Sequence, residues 1–408
     1  MSRASFVLVA IYFVLGGIIL SSAPVGSFPD ESSHYAYAMY VRTHHTLPRM
    51  DDSGISVAFH PPLYYLSCAL LIHPDKDPWS NAVRCRILSL LLGGATLLLV
   101  YKTATLISPE NSELALLSTA FAALNPQFIF IHSGISNIAM TSLTCGLTTY
   151  FLIRVVTTVD GRVAQTLALG TCLGLALLSR SVSIYLIPPI LLGLVYRAKK
   201  ENALNIPSLL RYLLPICISA AVISVSWYLW SWQEFGDPFQ FQIGREKAGG
   251  SYTPEDPISF LHLLQTCAFL HASFWAYFGR MEFHAGIAEY TIYLILEVLA
   301  LIGIFEILVG KKKGEFFERI PFLLLVFSGF LAIAQVVLFN MKIASPQGRY
   351  LYMAMIPICI GLSAGILKLL PQKHRKPATV LLTLFLFLLC LYLLIFYWFF
   401  RATSINVQ

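Results

Sequence analysis

Apolar stretches of about 20 residues, one after another, dominate this sequence, and that length is what a helix needs to cross a bilayer. About eleven can be marked: 6–23, 83–107, 113–133, 137–157, 163–180, 182–197, 209–233, 290–309, 319–341, 350–369 and 377–400. Charged residues make up only 12% of the 408, where a soluble domain carries about 25%. Within hydrocarbon, every backbone N–H and C=O must find its partner inside the segment or in a closed barrel. The chain is therefore predicted to be all-α, a polytopic membrane protein with about 11 transmembrane helices. Residues 1–408 form a single transmembrane domain. The segment 6–23 is read as a first span, not a cleaved signal, because the span count closes only with it. The stretch 63–73 is apolar but too short to cross, and His73-Pro74 stops it. It is read as an interfacial helix of the first loop.

Lysine and arginine set the orientation. With the N-terminus in the cytoplasm, three short inner loops hold Arg197, Lys199, Lys200 and Arg211; Lys311, Lys312, Lys313 and Arg319; and Lys368, Lys373, Arg375 and Lys376. The reverse orientation would place all three basic loops outside, against the positive-inside rule. This pattern also explains the formal charge of +7 without nucleic acid, for which no module is visible. Of ten histidines, only His374 falls inside, which puts the chemistry on the extracytoplasmic side. Two long regions face that side, 24–82 and 234–289. The eight cysteines show no CxxC or Cys/His ligand spacing and read as small packing residues.

The first of these regions concentrates ionisable groups. Asp30 and Glu31 follow Pro29 at the start of an amphipathic helical stretch, and His34 lies one turn later. The plainer reading is decoration of a helix N-terminus, which favours acids. The stretch begins where a span ends, however, facing lipid-borne material. A carboxylate there can act as general base toward a hydroxyl, or hold a divalent metal alone or with His34. His60-Pro61-Pro62 fixes an extended lead into the interfacial helix, with Tyr64 and Tyr65 as anchors.

Arg349, in Gln347-Gly348-Arg349-Tyr350, opens the tenth span at the same side. It either snorkels or offers a fixed fork of donors to a phosphate at headgroup depth. Arg180 is a second such arginine; His132, Asn137 and Arg280 are weaker candidates. Glu306 lies near the inner end of span eight and reaches water, while Glu297 sits deeper. A carboxylate at that depth is functional or bonded to a neighbouring span.

The ordered set PDESSHYAYAMYV, FHPPLYYLSCALL, AVRCRILSLLLGGATLLLVYK, NPQFIFIHSGISN, WYLWSWQEFGDPF, SFWAYFGRM and SPQGRYLYMAMIP resembles the C-type integral-membrane glycosyltransferases. The likeness is greatest to their protein O-mannosyltransferase and aminoarabinose-transferase-like branch. It reaches to about residue 370. There are departures: members often carry an Asn-Asp pair where this chain reads Ser136-Asn137-Ile138, and a lysine near the position of Arg180. The sequence also stops without the separate soluble domain that some relatives add.

The resemblance implies transfer of a sugar from a polyprenyl-phosphate donor to a glycan, lipid or protein acceptor. Transfer would be outside the plasma membrane, with inversion at the anomeric carbon. Carried over, Asp30 is the base with Glu31 in support, and Arg349, Arg180 and His60 stabilise the departing phosphate. His34, Tyr64, Arg280, Gln347 and Tyr350 complete the candidate substrate site. A divalent metal on Asp30 and His34 is optional. The competing class is a transporter or lipid-carrier flippase using Glu297 as a proton site; no internal repeat supports it. A non-catalytic partner in envelope polysaccharide assembly is a third.

Overall fold

The computed structural model describes residues 1–49, 53–158, 162–239, 259–310, 319–343 and 345–400. Its first helix, α1 (Arg3–Ser22), is capped by Ser2, whose hydroxyl accepts from the Ser5 amide. A short linker leads to α2 (Glu31–His44), and α3 (Leu63–Ala69) is the short interfacial helix expected after the two prolines. Then come α4 (Pro78–Ile107), α5 (Ser112–Ala123), α6 (Pro126–His132), α7 (Asn137–Thr157) and α8 (Arg162–Ser179). A 3-10 turn (Ser181–Leu186) opens α9 (Ile187–Lys200), which is followed by α10 (Ile206–Phe235).

The second long region supplies α11 (Phe260–Trp275) and a small hairpin, β1 (Tyr277–Phe278) paired antiparallel with β2 (Phe283–His284). That hairpin is the one departure from an all-helical reading among the described residues. The chain ends with α12 (Ile287–Val309), α13 (Arg319–Asn340), a 3-10 turn (Gly348–Ala354) leading into α14 (Met355–Leu369), and α15 (Gln372–Leu393).

Among the described residues, nine helices are long and apolar enough to cross a membrane. The expected third span is instead a bent pair: α5 and α6 meet at 59°. Asn125 and Pro126 explain the break. The Asn125 side chain accepts from the Phe128 amide and starts a new helix, with Pro126 in its first turn. The expected fifth span, α8, is apolar but falls short of the others. Lys311, Lys312 and Lys313 lie outside the described residues.

Because lipid is as apolar as leucine, spans associate through close packing of small residues more than through hydrophobic burial. The crossing of α12 and α14 shows this. A side chain at Gly303 would sit 1.9 Å from the Gly365 carbonyl oxygen. The inner helices α7 and α14 are mostly enclosed, whereas α10 and α12 keep most of their surface open. That open surface is rich in leucine and isoleucine, as contact with lipid requires.

Candidate active site

The linker between α1 and α2 is held by a buried ion pair. Arg86, on α4, sends Nε to Glu31 Oε1 and one amino group to Glu31 Oε2, both at 2.8 Å, with both side chains fully enclosed. Its remaining N–H groups reach the carbonyls of Leu20, Ala23 and Pro24. Glu31 in turn accepts from the Gly26 and Ile135 amides at 2.7 and 3.1 Å. Phe28 lies 4.9 Å below the guanidinium. Every donor of Arg86 is thus satisfied, which is the condition for a buried pair to be tolerated at all. Arg280 adds a strut, Nε donating to the Gly26 carbonyl at 2.8 Å.

This frame sets Asp30 at the N-cap of α2 in the left-handed region, φ 59° and ψ 11°, a conformation that Asp tolerates better than most. An N-cap aspartate ordinarily bonds its own helix. Asp30 makes no such bond; its carboxylate pairs with Arg349. The Asp30 side chain is 53% exposed and that of Arg349 3%, so the acid of the pair stands open while its partner is enclosed. Arg349 also donates to the Pro29 carbonyl at 3.1 Å, and its buried Nε has no partner among the described residues.

Gly348 permits this placement. Its amide donates to Ser273 Oγ on α11 at 2.8 Å. A Cβ there would lie 2.1 Å from the Phe274 nitrogen, so only glycine lets the turn and α11 meet so closely.

Arg180 approaches the same place from the end of α8. Its guanidinium lies 5.0 Å from the Tyr350 ring centre, and that of Arg349 lies 5.5 Å from it. Beside them, His34 Nδ1 and the Tyr65 hydroxyl are 2.9 Å apart, and the His34 and His60 rings stack with centres 6.5 Å apart. Burial pushes His34 down to about 3, against the opposing pull of Asp30; the ring is neutral at physiological pH. Burial tends to raise the Asp30 carboxyl, but the Arg349 charge and its neighbours outweigh it and hold the acid below 3.8. Gln347 presents a buried side-chain oxygen that meets no donor among the described residues.

The structure therefore brings Asp30, His34, His60, Arg180, Arg349 and Tyr350 together, with Gln347 two residues before Arg349. Three expectations need correction of place. Glu31 does not stand open beside Asp30; its lone pairs are taken by Arg86 and two backbone amides, so it anchors the linker. Tyr64 is fully buried, its hydroxyl bonded to Ser89 Oγ at 2.7 Å and to the Ser136 amide at 3.0 Å. Arg280 holds backbone and not these side chains. As for a metal, no group of three His, Cys, Asp or Glu side chains converges among the described residues, and Asp30 and His34 are engaged with Arg349 and Tyr65.

Glu297 accepts from Trp275 Nε1 at 2.7 Å and pairs with His271 Nδ1 at 2.8 Å, tying α12 to α11. Tyr65, expected only as an anchor, meets His34, and Arg86 is a functional residue that the sequence gives no role. Its signal is its place as one of two arginines, with Arg84, at the start of an apolar stretch, where charge is usually kept for a reason.

Comparison with known proteins agrees with this architecture. The family of dolichyl-phosphate-mannose-protein mannosyltransferases matches residues 60–228, which takes in His60 and Arg180 but leaves Asp30 and Arg349 outside. A search of curated proteins finds no match. Among solved structures, the chain is similar to ArnT from Cupriavidus metallidurans bound to undecaprenyl phosphate. That likeness has TM-score 0.57 and 15% identity, covering 93% of this chain and 63% of that one. It is also similar to the archaeal oligosaccharyltransferase AglB from Archaeoglobus fulgidus in complex with an inhibitory peptide and a dolichol-phosphate. There the TM-score is 0.54 with 12% identity, covering 95% of this chain and 55% of that one. The chain thus spans under two thirds of both, and at such identities the likeness is one of fold. The chain is thus a multi-pass membrane protein that shares its fold with these two structures.

Proposed function

We propose that this protein is an inverting glycosyltransferase. It takes a sugar from a polyprenyl-phosphate carrier on the extracytoplasmic face and passes it to a hydroxyl of a glycan, lipid or protein. One observation carries the reading: two arginines, Arg180 and Arg349, flank the Tyr350 ring, and of the two only Arg349 is paired with an acid, Asp30. A half-buried guanidinium with no acid of its own among the described residues is suited to an anion. The family and the polyprenyl-phosphate-bound relatives of like fold favour a lipid-linked phosphate.

The chemistry follows from charge. As the acceptor oxygen bonds to the anomeric carbon, the bond from that carbon to the phosphate oxygen breaks and the hydroxyl proton passes to Asp30. The phosphodiester, singly charged, leaves as a monoester with a second negative charge. Positive charge near that oxygen stabilises the transition state more than the ground state. With Arg349 paired to Asp30, Arg180 carries the surplus positive charge; the His60 ring is placed to donate to phosphate or sugar oxygens, and the Gln347 oxygen to accept from sugar hydroxyls. Glu297, bonded to His271 and Trp275, is read as a brace between helices instead of a proton relay.

The test is mass spectrometry of lipid-linked sugars and envelope glycans in cells carrying wild-type or Asp30→Asn protein. The reading expects one sugar modification to disappear, and its polyprenyl-linked donor to accumulate, in the variant. Identical profiles at equal protein levels would overturn it.

A further inference from the structure

The two arginines differ in what they are free to do. Arg349 is enclosed and already committed, to Asp30 Oδ2 and to the Pro29 carbonyl. Arg180 is half-buried, and its side chain makes no hydrogen bond or ion pair with any described residue. Inversion imposes a further constraint. The base and the leaving oxygen must stand on opposite sides of the anomeric carbon, roughly in line. A guanidinium bonded to the base lies on the base's side of the sugar. For Arg349 to grip the leaving oxygen it would have to abandon both present partners and leave the Pro29 carbonyl unmatched in an enclosed setting.

On the glycosyl-transfer reading above, we propose that the arginines divide the labour. Arg349 is a positioning residue that aims Asp30, and Arg180 is the catalytic residue that touches the leaving phosphate. Arg349 holds Oδ2, and no described group occupies Oδ1, which is left to take the acceptor's proton. The orphaned Nε of Arg349 points to unused capacity on that side chain. Its fork, however, is fixed from two directions by Asp30 and Pro29, whereas Arg180 lies over the Tyr350 face and feels Asp30 only through space. A cation held only by an aromatic face can turn toward an incoming phosphate without breaking a hydrogen bond.

The experiment uses the full chain in nanodiscs of zwitterionic lipid, titrated with undecaprenyl phosphate and, in parallel, dolichyl phosphate. Undecaprenol serves as the phosphate-free control. Wild type should bind a phosphorylated lipid over undecaprenol. Arg180→Gln should weaken that binding about tenfold or more, the worth of a charge-assisted hydrogen bond. Arg349→Lys and Arg349→Gln should stay within about threefold of wild type. Infrared difference spectra, referenced to Asp30→Asn, give an independent readout: the Asp30 carboxylate band should titrate at higher pH in Arg349→Gln and move far less in Arg180→Gln. If both Arg349 variants lose the lipid while Arg180→Gln keeps it, the division of labour is overturned and the transferase reading stands. If wild type itself does not prefer either phosphorylated lipid to undecaprenol, both fall.

Discussion

Asp30 and Arg349 form an ion pair although 319 residues separate them in the sequence. Asp30 gives up the cap bond expected of an aspartate at its position, a loss of about 1 kcal/mol to α2, and turns its carboxylate to Arg349 instead. The helix start thus gives up a local bond for a contact that joins the two ends of the described chain.

Replacing Asp30 with asparagine keeps the shape and removes the carboxylate proposed as the base. Transfer is expected to fall about 10²–10⁴-fold, the range for loss of a general base. The melting temperature should fall less than when a fully enclosed pair is broken, since the Asp30 side chain is 53% exposed and water screens its charge. Transfer assays on membranes, with a melting curve as control, check both. Substantial activity in the variant would remove Asp30 from the base role.

The acid limb of transfer should lie low. Despite burial, the Arg349 charge and its neighbours keep the Asp30 carboxyl below 3.8, so the base stays ionised down to and below that pH. A pH–rate profile checks this; Arg349→Gln should move the limb upward.

Stability should instead respond to His34. Burial lowers its folded-state value from 6.5 to about 3, so the folded protein binds fewer protons there than the unfolded chain. That contribution is whole above 6.5 and is lost progressively as pH falls from 6.5 toward 3. Melting temperatures between pH 8 and 5, referred to about His34's ordinary range, should decline less in His34→Gln than in wild type.

Much of this was legible before any coordinates. Asp30, Arg349 and His60 stand out because an ionisable group at the edge of long apolar runs has few bland explanations. The apolar runs themselves mark most of the spans. What could not be read was pairing. Glu31 and Asp30 are adjacent, of like charge and at one helix start; nothing local says that one is sealed against Arg86, 55 positions away, and the other left open. The bend at Asn125 was hidden in the same way, since a run of apolar residues continues across it and only the Asn-Pro step marks the break.

Breaking the buried pair tests that division. Removing one partner leaves the other charged and unmatched in the interior, which costs about 3–5 kcal/mol. Arg86→Met and Glu31→Gln should each lower the melting temperature far more than Asp30→Asn. The effects should not add in the double variant, because the second change removes the stranded charge. Thermal unfolding of the three proteins in detergent decides it.

Gly348→Ala should act at the Arg349 side of the pair. The new methyl would fall 2.1 Å from the Phe274 nitrogen, forcing the turn that bears Arg349 away from α11, at about 1–3 kcal/mol. Transfer should drop by more than that destabilisation explains. Parallel activity and melting measurements separate the two.

The separation of Asp30 from its partner also governs when the protein becomes competent during synthesis. The Glu31–Arg86 anchor can close as soon as the second hydrophobic segment has left the ribosome. The Asp30–Arg349 contact must wait for another 263 codons beyond Arg86 to be translated and inserted. Until then the Asp30 carboxylate has no Arg349 to hold it, so the order of translation makes this contact one of the last to form.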